Sequence, residues 1–199
     1  MLLADISGYT SFLQAVATAH QDDAFAGGAV PEAYRLMSSL LDGIVTSLVP
    51  PFTLSKLEGD AVFAFARIGP DVPRGGAVLD CLRRCYADFR ASLAQVGELW
   101  TCNCDACFRA NTLDLKFILH SGRYVELEIA GSRELSGPEV VMAHRLLKNH
   151  GGDVLGGGAY ALLTGAAVAQ LDVPVETAVS TTETYEHYQP IQVFFIGLR

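Results

Sequence analysis

Lysine is scarce in this chain: Lys56, Lys116 and Lys148 are the only three among 199 residues. Lys and Arg together number 14 against 22 Asp and Glu, so the formal net charge is −8 at pH 7. There is no basic run and no helix rich in Lys and Arg, which argues against a nucleic-acid partner and against an anionic membrane surface. No apolar run reaches the length that spans a bilayer. The start, Met1-Leu2-Leu3-Ala4-Asp5, lacks both the basic region and the apolar stretch of a signal, so the expected location is cytoplasmic. Apolar residues make up 50% and charged residues 18%, a balance that excludes a disordered chain and fits a globular one. A length of 199 residues suits one well-filled domain over 1–199 and is short for two. An acidic protein of this kind binds a polyphosphate when metal ions carry much of the neutralisation.

The apolar pattern predicts a short buried strand over 2–6, a turn at Ser7-Gly8-Tyr9-Thr10, and a helix to about 19. A second helix fits 30–49, with Pro31 near its start and Pro50-Pro51 ending it. Strands over 52–56 and 61–66 form a hairpin around Leu57-Glu58-Gly59-Asp60. A long amphipathic helix follows the loop 69–76 and runs to about 96. A second hairpin is expected from strands 113–120 and 124–130 around Ser121-Gly122. Ser136-Gly137-Pro138-Glu139 has the S-x-x-E form of a capping box and predicts a helix to about 148. Glycines at 151–152 and 156–158 bound an expected mobile loop, followed by a strand over 160–163, a short helix from Thr164, and strands over 175–181 and 192–198. This mixed order predicts an α+β fold, with helices over one face of a partly antiparallel sheet and the other face left for a partner.

Two acidic residues sit where a metal-bound phosphate would need them. Asp5 ends an apolar strand, and Asp60 follows the glycine of an otherwise apolar hairpin. Mg²⁺ takes one or two carboxylates together with substrate phosphate oxygens. The turn after Asp5 opens a helix, whose first N–H groups are free to face phosphate. The competing reading of each is structural: Gly-Asp is common in ordinary turns.

Four segments, taken in order, resemble the catalytic domains of class III adenylate and guanylate cyclases. Asp5-Ile6-Ser7-Gly8-Tyr9-Thr10 resembles their first metal-binding segment, and Lys56-Leu57-Glu58-Gly59-Asp60 their K-x-x-G-D hairpin. Phe117-Ile118-Leu119-His120-Ser121-Gly122 is similar to a G-I-H-x-G strand end, and 137–146 to the helix reading G-D-x-V-N-x-A-x-R-L. The resemblance covers roughly 2–164 and implies a ferredoxin-like, βαββαβ-type cyclase homology domain with a mixed, largely antiparallel sheet covered by helices. It implies Asp5, Asp60 and the Ile6 carbonyl as ligands of two Mg²⁺ or Mn²⁺ ions. Lys56 and Glu134 would recognise the base, Ser7, Gly8, Tyr9 and Thr10 the phosphates, and Arg145 the charge on the reacting phosphate. Val141 departs from the pattern, since the family has a ribose-holding asparagine there. Glu134 departs by one methylene from the family's aspartate. His120 is read as packing or turn support.

The implied activity is conversion of a nucleoside triphosphate, ATP foremost, to the 3′,5′-cyclic monophosphate and pyrophosphate. The implied unit is a homodimer in which one chain gives the metal carboxylates and the other gives the lysine, the base acceptor and the arginine. Val141 keeps a second reading open, a degenerate cyclase-like domain that acts without turnover as a nucleotide-binding or regulatory interaction module. Arg145 as a solvated helix charge, and Lys56 pairing with Glu134, remain structural alternatives.

Of the five cysteines, Cys81 and Cys85 lie on the apolar stripe of a helix and read as core. Cys102-x-Cys104-x-x-Cys107, an insertion near 100–112, falls outside the cyclase pattern. Three thiolates suit Zn²⁺, but a tetrahedral site wants a fourth ligand that the spacing does not supply. A partner chain, Asp105 or a distant histidine are the alternatives for it, and metal-free thiols are the competing reading.

Overall fold

The computed structural model describes residues 1–20, 32–99, 102 and 104–199. Strand β1 (Leu2–Ser7) leads through α1 (Tyr9–Ala19) and α2 (Glu32–Leu48) to the hairpin β2 (Thr53–Glu58) and β3 (Ala61–Phe65). Helix α3 (Gly76–Leu99), the short α4 (Asp105–Phe108) and a 3-10 turn (Arg109–Thr112) precede β4 (Asp114–Leu119). A separate ribbon of β5 (Val125–Ile129) and β6 (Ser132–Ser136) leads to α5 (Pro138–Arg145) and α6 (Gly151–Leu155). The chain closes with β7 (Tyr160–Thr164), α7 (Gly165–Leu171), β8 (Val179–Glu183) and β9 (Ile191–Gly197). Pro31, expected near the start of α2, lies outside the described residues.

The seven-stranded sheet has the order β2-β3-β1-β4-β7-β9-β8. All its pairs are antiparallel except β4 with β7. The first four strands give the ferredoxin-like order, with β1 in the middle between β3 and β4. Successive side chains on a strand point to opposite faces. Leu2, Ala4 and Ile6 therefore join one apolar cluster with α1, α2 and α3, while Leu3 joins a second with α5. The first cluster contains Cys81 and Cys85, buried as expected, and burial pushes the thiol of Cys85 up to about 12.

Three expectations are corrected. The second hairpin is not 113–120 with 124–130: β4 is fully internal, between β1 and β7, and β5 pairs instead with β6. The buried apolar residues of β4 require a strand on each side, whereas β5 has an exposed apolar face and needs only one neighbour. Helices cover part of both sheet faces rather than one, because Val140, Met142 and Ala143 seat α5 on the face opposite α1–α3. The expected loop near 151–158 contains α6. No helix among the described residues is long and apolar enough to cross a membrane.

Candidate functional site

The end of β1 gathers one set of charges. Asp5 stands opposite Ala61 on β3 and opposite Lys116 on β4. The Ile6 N–H donates to the carbonyl oxygen of Asp60 at 3.1 Å, which fixes the β2–β3 turn against β1. Lys116 Nζ lies 3.0 Å from Asp5 Oδ2. Partial burial and then the Asp5 charge raise the carboxyl pKa of Asp60, with its own backbone hydrogen bond and Lys116 opposing. Two carboxylates thus share a space in which a single ammonium offsets them. That donor set is the chemistry of a hard divalent cation.

Helix α1 starts beside this pair. Its N-cap, Gly8, has φ 88°, a left-handed conformation that glycine adopts without a Cβ penalty. The Gly8 carbonyl accepts from Phe12 N–H and from Ser11 Oγ. The first N–H groups of α1, those of Tyr9 and Thr10 among them, have no intrahelical acceptor. Partial burial, and next the neighbouring Asp60 charge, raise the Tyr9 hydroxyl pKa.

A second set of charges lies further across the same sheet face, where Glu58 stands opposite the Ala61 that pairs with Asp5. Lys56 donates to Glu134 Oε2 at 2.8 Å and lies 3.4 Å from Glu58 Oε1. The hydrogen bond to Glu134 is the main reason that the Lys56 pKa is raised. Glu58 Oε2 is 2.8 Å from Nε2 of His144, whose Nδ1 lies 2.7 Å from the Val140 carbonyl oxygen. Both ring nitrogens of His144 lie within hydrogen-bond distance of oxygen atoms. Val141 and Arg145 share the outer side of α5, and both are exposed. Among the described residues Arg145 has no ion-pair partner, and no hydrogen bond or ion pair joins Asp5, Asp60 or Lys116 to Lys56, Glu58, Glu134 or His144. The structural pairing of Lys56 with Glu134 is present. Sequence reasoning missed Lys116 and Glu58. The signal for Lys116 was a charge inside an apolar strand, legible once its register against Asp5 is known.

His120 is 3% exposed and holds the other end of β4. Its Nδ1 lies 3.0 Å from Thr164 Oγ1, and its Nε2 2.7 Å from Glu139 Oε2. Thr164 Oγ1 also accepts from Ala167 N–H, so its hydroxyl is free to donate to Nδ1. The network assigns the proton to Nε2, donating to Glu139. Burial lowers the His120 pKa, partly offset by Glu139. This corrects the expected capping box: Gly137 is the N-cap with no side-chain cap bond, and Glu139 serves His120. A Cβ on Gly122 would stand 2.6 Å from the Glu139 side chain, so this contact depends on glycine there. A cavity of about 400 Å³ borders His120, Gly122 and Met1, at the end of β1 away from Asp5.

The cysteine insertion gains a fourth neighbour. Cys104 caps α4, its Sγ accepting from the Cys107 N–H at 3.4 Å, and this bond heads the causes that lower the Cys104 pKa to about 6. Nε2 of His20, at the C-terminal cap of α1, lies 3.2 Å from Cys104 Sγ, 3.6 Å from Cys102 Sγ and 3.5 Å from Cys107 Sγ. These four residues form a candidate metal-binding cluster, and all five cysteines are free. His20 carried no local signal, standing 82 residues from Cys102.

A family model described as "Protein of unknown function (DUF2652)" matches residues 37–152. "Uncharacterized protein Rv2561/Rv2562" of Mycobacterium tuberculosis (strain ATCC 25618 / H37Rv) is 34% identical over 116 residues, 57% of this chain and 51% of that protein. The chain thus spans about half the length of the curated relative it matches. Among solved structures, the adenylyl cyclase CyaB from P. aeruginosa superposes with a TM-score of 0.62 at 12% identity, over 98% of this chain and 90% of that one. The guanylyl cyclase Cya2 gives 0.61 at 14% identity, over 98% and 88%. A class III adenylyl cyclase-like ATP-binding protein from Pseudomonas aeruginosa gives 0.57 at 16% identity, over 88% of this chain and 35% of that one. The fold is that of the class III cyclase catalytic domain.

Proposed function

The chain belongs to the DUF2652 family, and with its cyclase fold as premise we propose that it is a metal-dependent nucleotidyl cyclase. The substrate is a nucleoside triphosphate, ATP foremost, and the products are the 3′,5′-cyclic monophosphate and pyrophosphate. One observation carries the reading. The β2–β3 hairpin holds Asp60 against the Asp5 end of β1, and the same hairpin turns Lys56 to Glu134. Among the described residues no hydrogen bond or ion pair joins Asp5 and Asp60 to Lys56 and Glu134, as expected where a second copy completes each site.

In this reading Asp5, Asp60 and the Ile6 carbonyl hold the metal ions. Two Mg²⁺ or Mn²⁺, when bound, supply Lewis-acid activation of the ribose 3′-hydroxyl and neutralise the triphosphate. The 3′-hydroxyl gives up its proton to solvent and its oxygen forms a bond to the α-phosphorus, as the bond from that phosphorus to the α,β-bridging oxygen breaks and pyrophosphate carries away the electron pair. The N–H groups at Gly8–Thr10 face the phosphates at the positive end of α1. Lys56 donates to a ring nitrogen of the base, and Glu134 accepts from its amino group. Arg145 of the second copy stabilises charge on the reacting phosphate, and losing such a donor costs about 2.7–4 kcal/mol of barrier.

A second reading rests on Val141. Its exposed aliphatic side chain offers a ribose no hydrogen bond, which favours a nucleotide-binding module without turnover. Incubation with each of the four nucleoside triphosphates and Mn²⁺, assayed for cyclic product and pyrophosphate, separates the two. Cyclic product that disappears in Asp60→Asn supports the enzyme. Binding of a triphosphate without product supports the module, and no binding of any triphosphate overturns both.

A further inference from the structure

Three thiols and an imidazole converge from distant parts of the chain. His20 ends α1, while Cys102, Cys104 and Cys107 lie 82 to 87 residues further on, around the start of α4. Their four donor atoms all lie within 4.8 Å of one another. Tetrahedral zinc, with bonds of about 2.3 Å to sulfur and about 2.0–2.1 Å to nitrogen, sets neighbouring ligand atoms about 3.5–3.8 Å apart. The Nε2 atom of His20 stands 3.2, 3.6 and 3.5 Å from the three sulfurs. These edges match a single ion at the centre.

Packing alone does not account for the cluster. Thiols used only for packing sit among apolar side chains, as Cys81 and Cys85 do in the main core. A [2Fe–2S] cluster divides four ligands between two irons and separates the pairs more widely than one shared ion does. Mg²⁺ and Ca²⁺ take oxygen donors, and three sulfurs exclude them.

We propose that His20, Cys102, Cys104 and Cys107 form a closed, structural Cys₃His zinc site. Four protein ligands leave no position for water or substrate, so the ion serves architecture and not chemistry. It ties the C-terminal end of α1 to α4 and, through the 3-10 turn, to the entrance of β4. Helix α1 begins directly after Asp5–Ser7, so the ion anchors the far end of the helix that opens beside the carboxylates. The site stands on its own geometry and is independent of the cyclase reading.

The test uses the full chain purified without added metal. Elemental analysis should find about one zinc per chain, and Co²⁺ substitution should give the strong visible absorption of a tetrahedral thiolate site. Thiol titration in native buffer should find the three cluster cysteines protected until a chelator is added. Loss of a partner one step removed from a zinc ion already weakens binding 10–100-fold, so His20→Ala should weaken it by more than about 100-fold. His20→Cys should keep one zinc, because it restores a fourth soft ligand. The site is overturned if wild type takes up no zinc from micromolar free Zn²⁺, if it carries iron instead, or if the three thiols titrate freely in the metal-loaded protein. If His20→Ala fails to fold, the wild-type metal analysis and His20→Cys still decide. Undiminished zinc affinity in a folded His20→Ala would overturn the ligand set.

Discussion

The ammonium of Lys116 lies 3.0 Å from the carboxylate of Asp5, across the central pair of strands β1 and β4. It is the nearest thing to a cation at a place that gathers two aspartates, and it bears on both. Asp5 it meets directly; at Asp60 its charge opposes the rise that burial and Asp5 cause.

The sign of that rise fixes a prediction. An aspartate whose folded pKa lies above its unfolded value costs stability when ionised, and the cost fades as pH falls through the folded pKa. Asp60→Asn should therefore raise the melting temperature at pH 7, with the gain shrinking toward pH 4, while Mn²⁺ binding measured by calorimetry is lost. A melting temperature that falls at pH 7 would contradict the account from burial and the Asp5 charge. Lys116→Gln should move the pH midpoint of Mn²⁺ binding upward, because protons then compete for Asp60 at higher pH.

Val141 is 47% exposed on the outer side of α5, so its replacement should leave stability within about 0.5 kcal/mol. Val141→Asn supplies the hydrogen bond that would orient a ribose, and orientation is worth rate. Turnover should rise while the melting curve stays put. Unchanged or reduced turnover would mean that another residue grips the ribose.

Asp5→Asn and Arg145→Ala should each be inactive as homodimers. If sites are shared across a two-fold axis, the mixed dimer has one site with both defects and one with neither. Activity should reappear on mixing, to at most about half the wild-type level per dimer. Silence after subunit exchange has been demonstrated would place the whole site within one chain.

The buried imidazole of His120 sets an acid limit. Its folded pKa lies below the ordinary 6.5, so the stability it gives is full above that value and is lost as pH falls from 6.5 toward the folded pKa. Glu139→Gln removes the partner that partly restores the pKa and should extend the loss to lower pH. His120→Gln should cost about 1–3 kcal/mol at pH 7 and flatten that part of the profile. Chemical denaturation at pH 7, 6 and 5 measures both, and an unaltered slope in His120→Gln would show that the imidazole is not the titrating group.

Much of this was legible in the residues. The apolar run of β1, the prolines after α2 and the glycine turn before Asp60 each force a local answer, and the structure has those elements. Pairing was not legible at β4 and β5, because a strand does not state its neighbours. A tight turn at Ser121-Gly122 suggested adjacency, while the burial of both faces of β4 demanded β1 and β7 instead. The capping box failed for a related reason. Glu139 had the right spacing, but His120, distant along the chain, offered it a better donor. Three zinc-type cysteines were visible as a local cluster, and the histidine beside them was not, because only the tertiary fold brings α1 to α4.

The central place of β1 has a consequence for synthesis. One edge of β1 is closed by residues 61–64 of β3, but the other must wait for 114–119 of β4. Over the intervening length a nascent chain carries an apolar strand with a free hydrogen-bonding edge, the kind of edge that recruits other chains. β1 is translated well before the strand that closes its second edge, and until β4 leaves the ribosome that edge lies open.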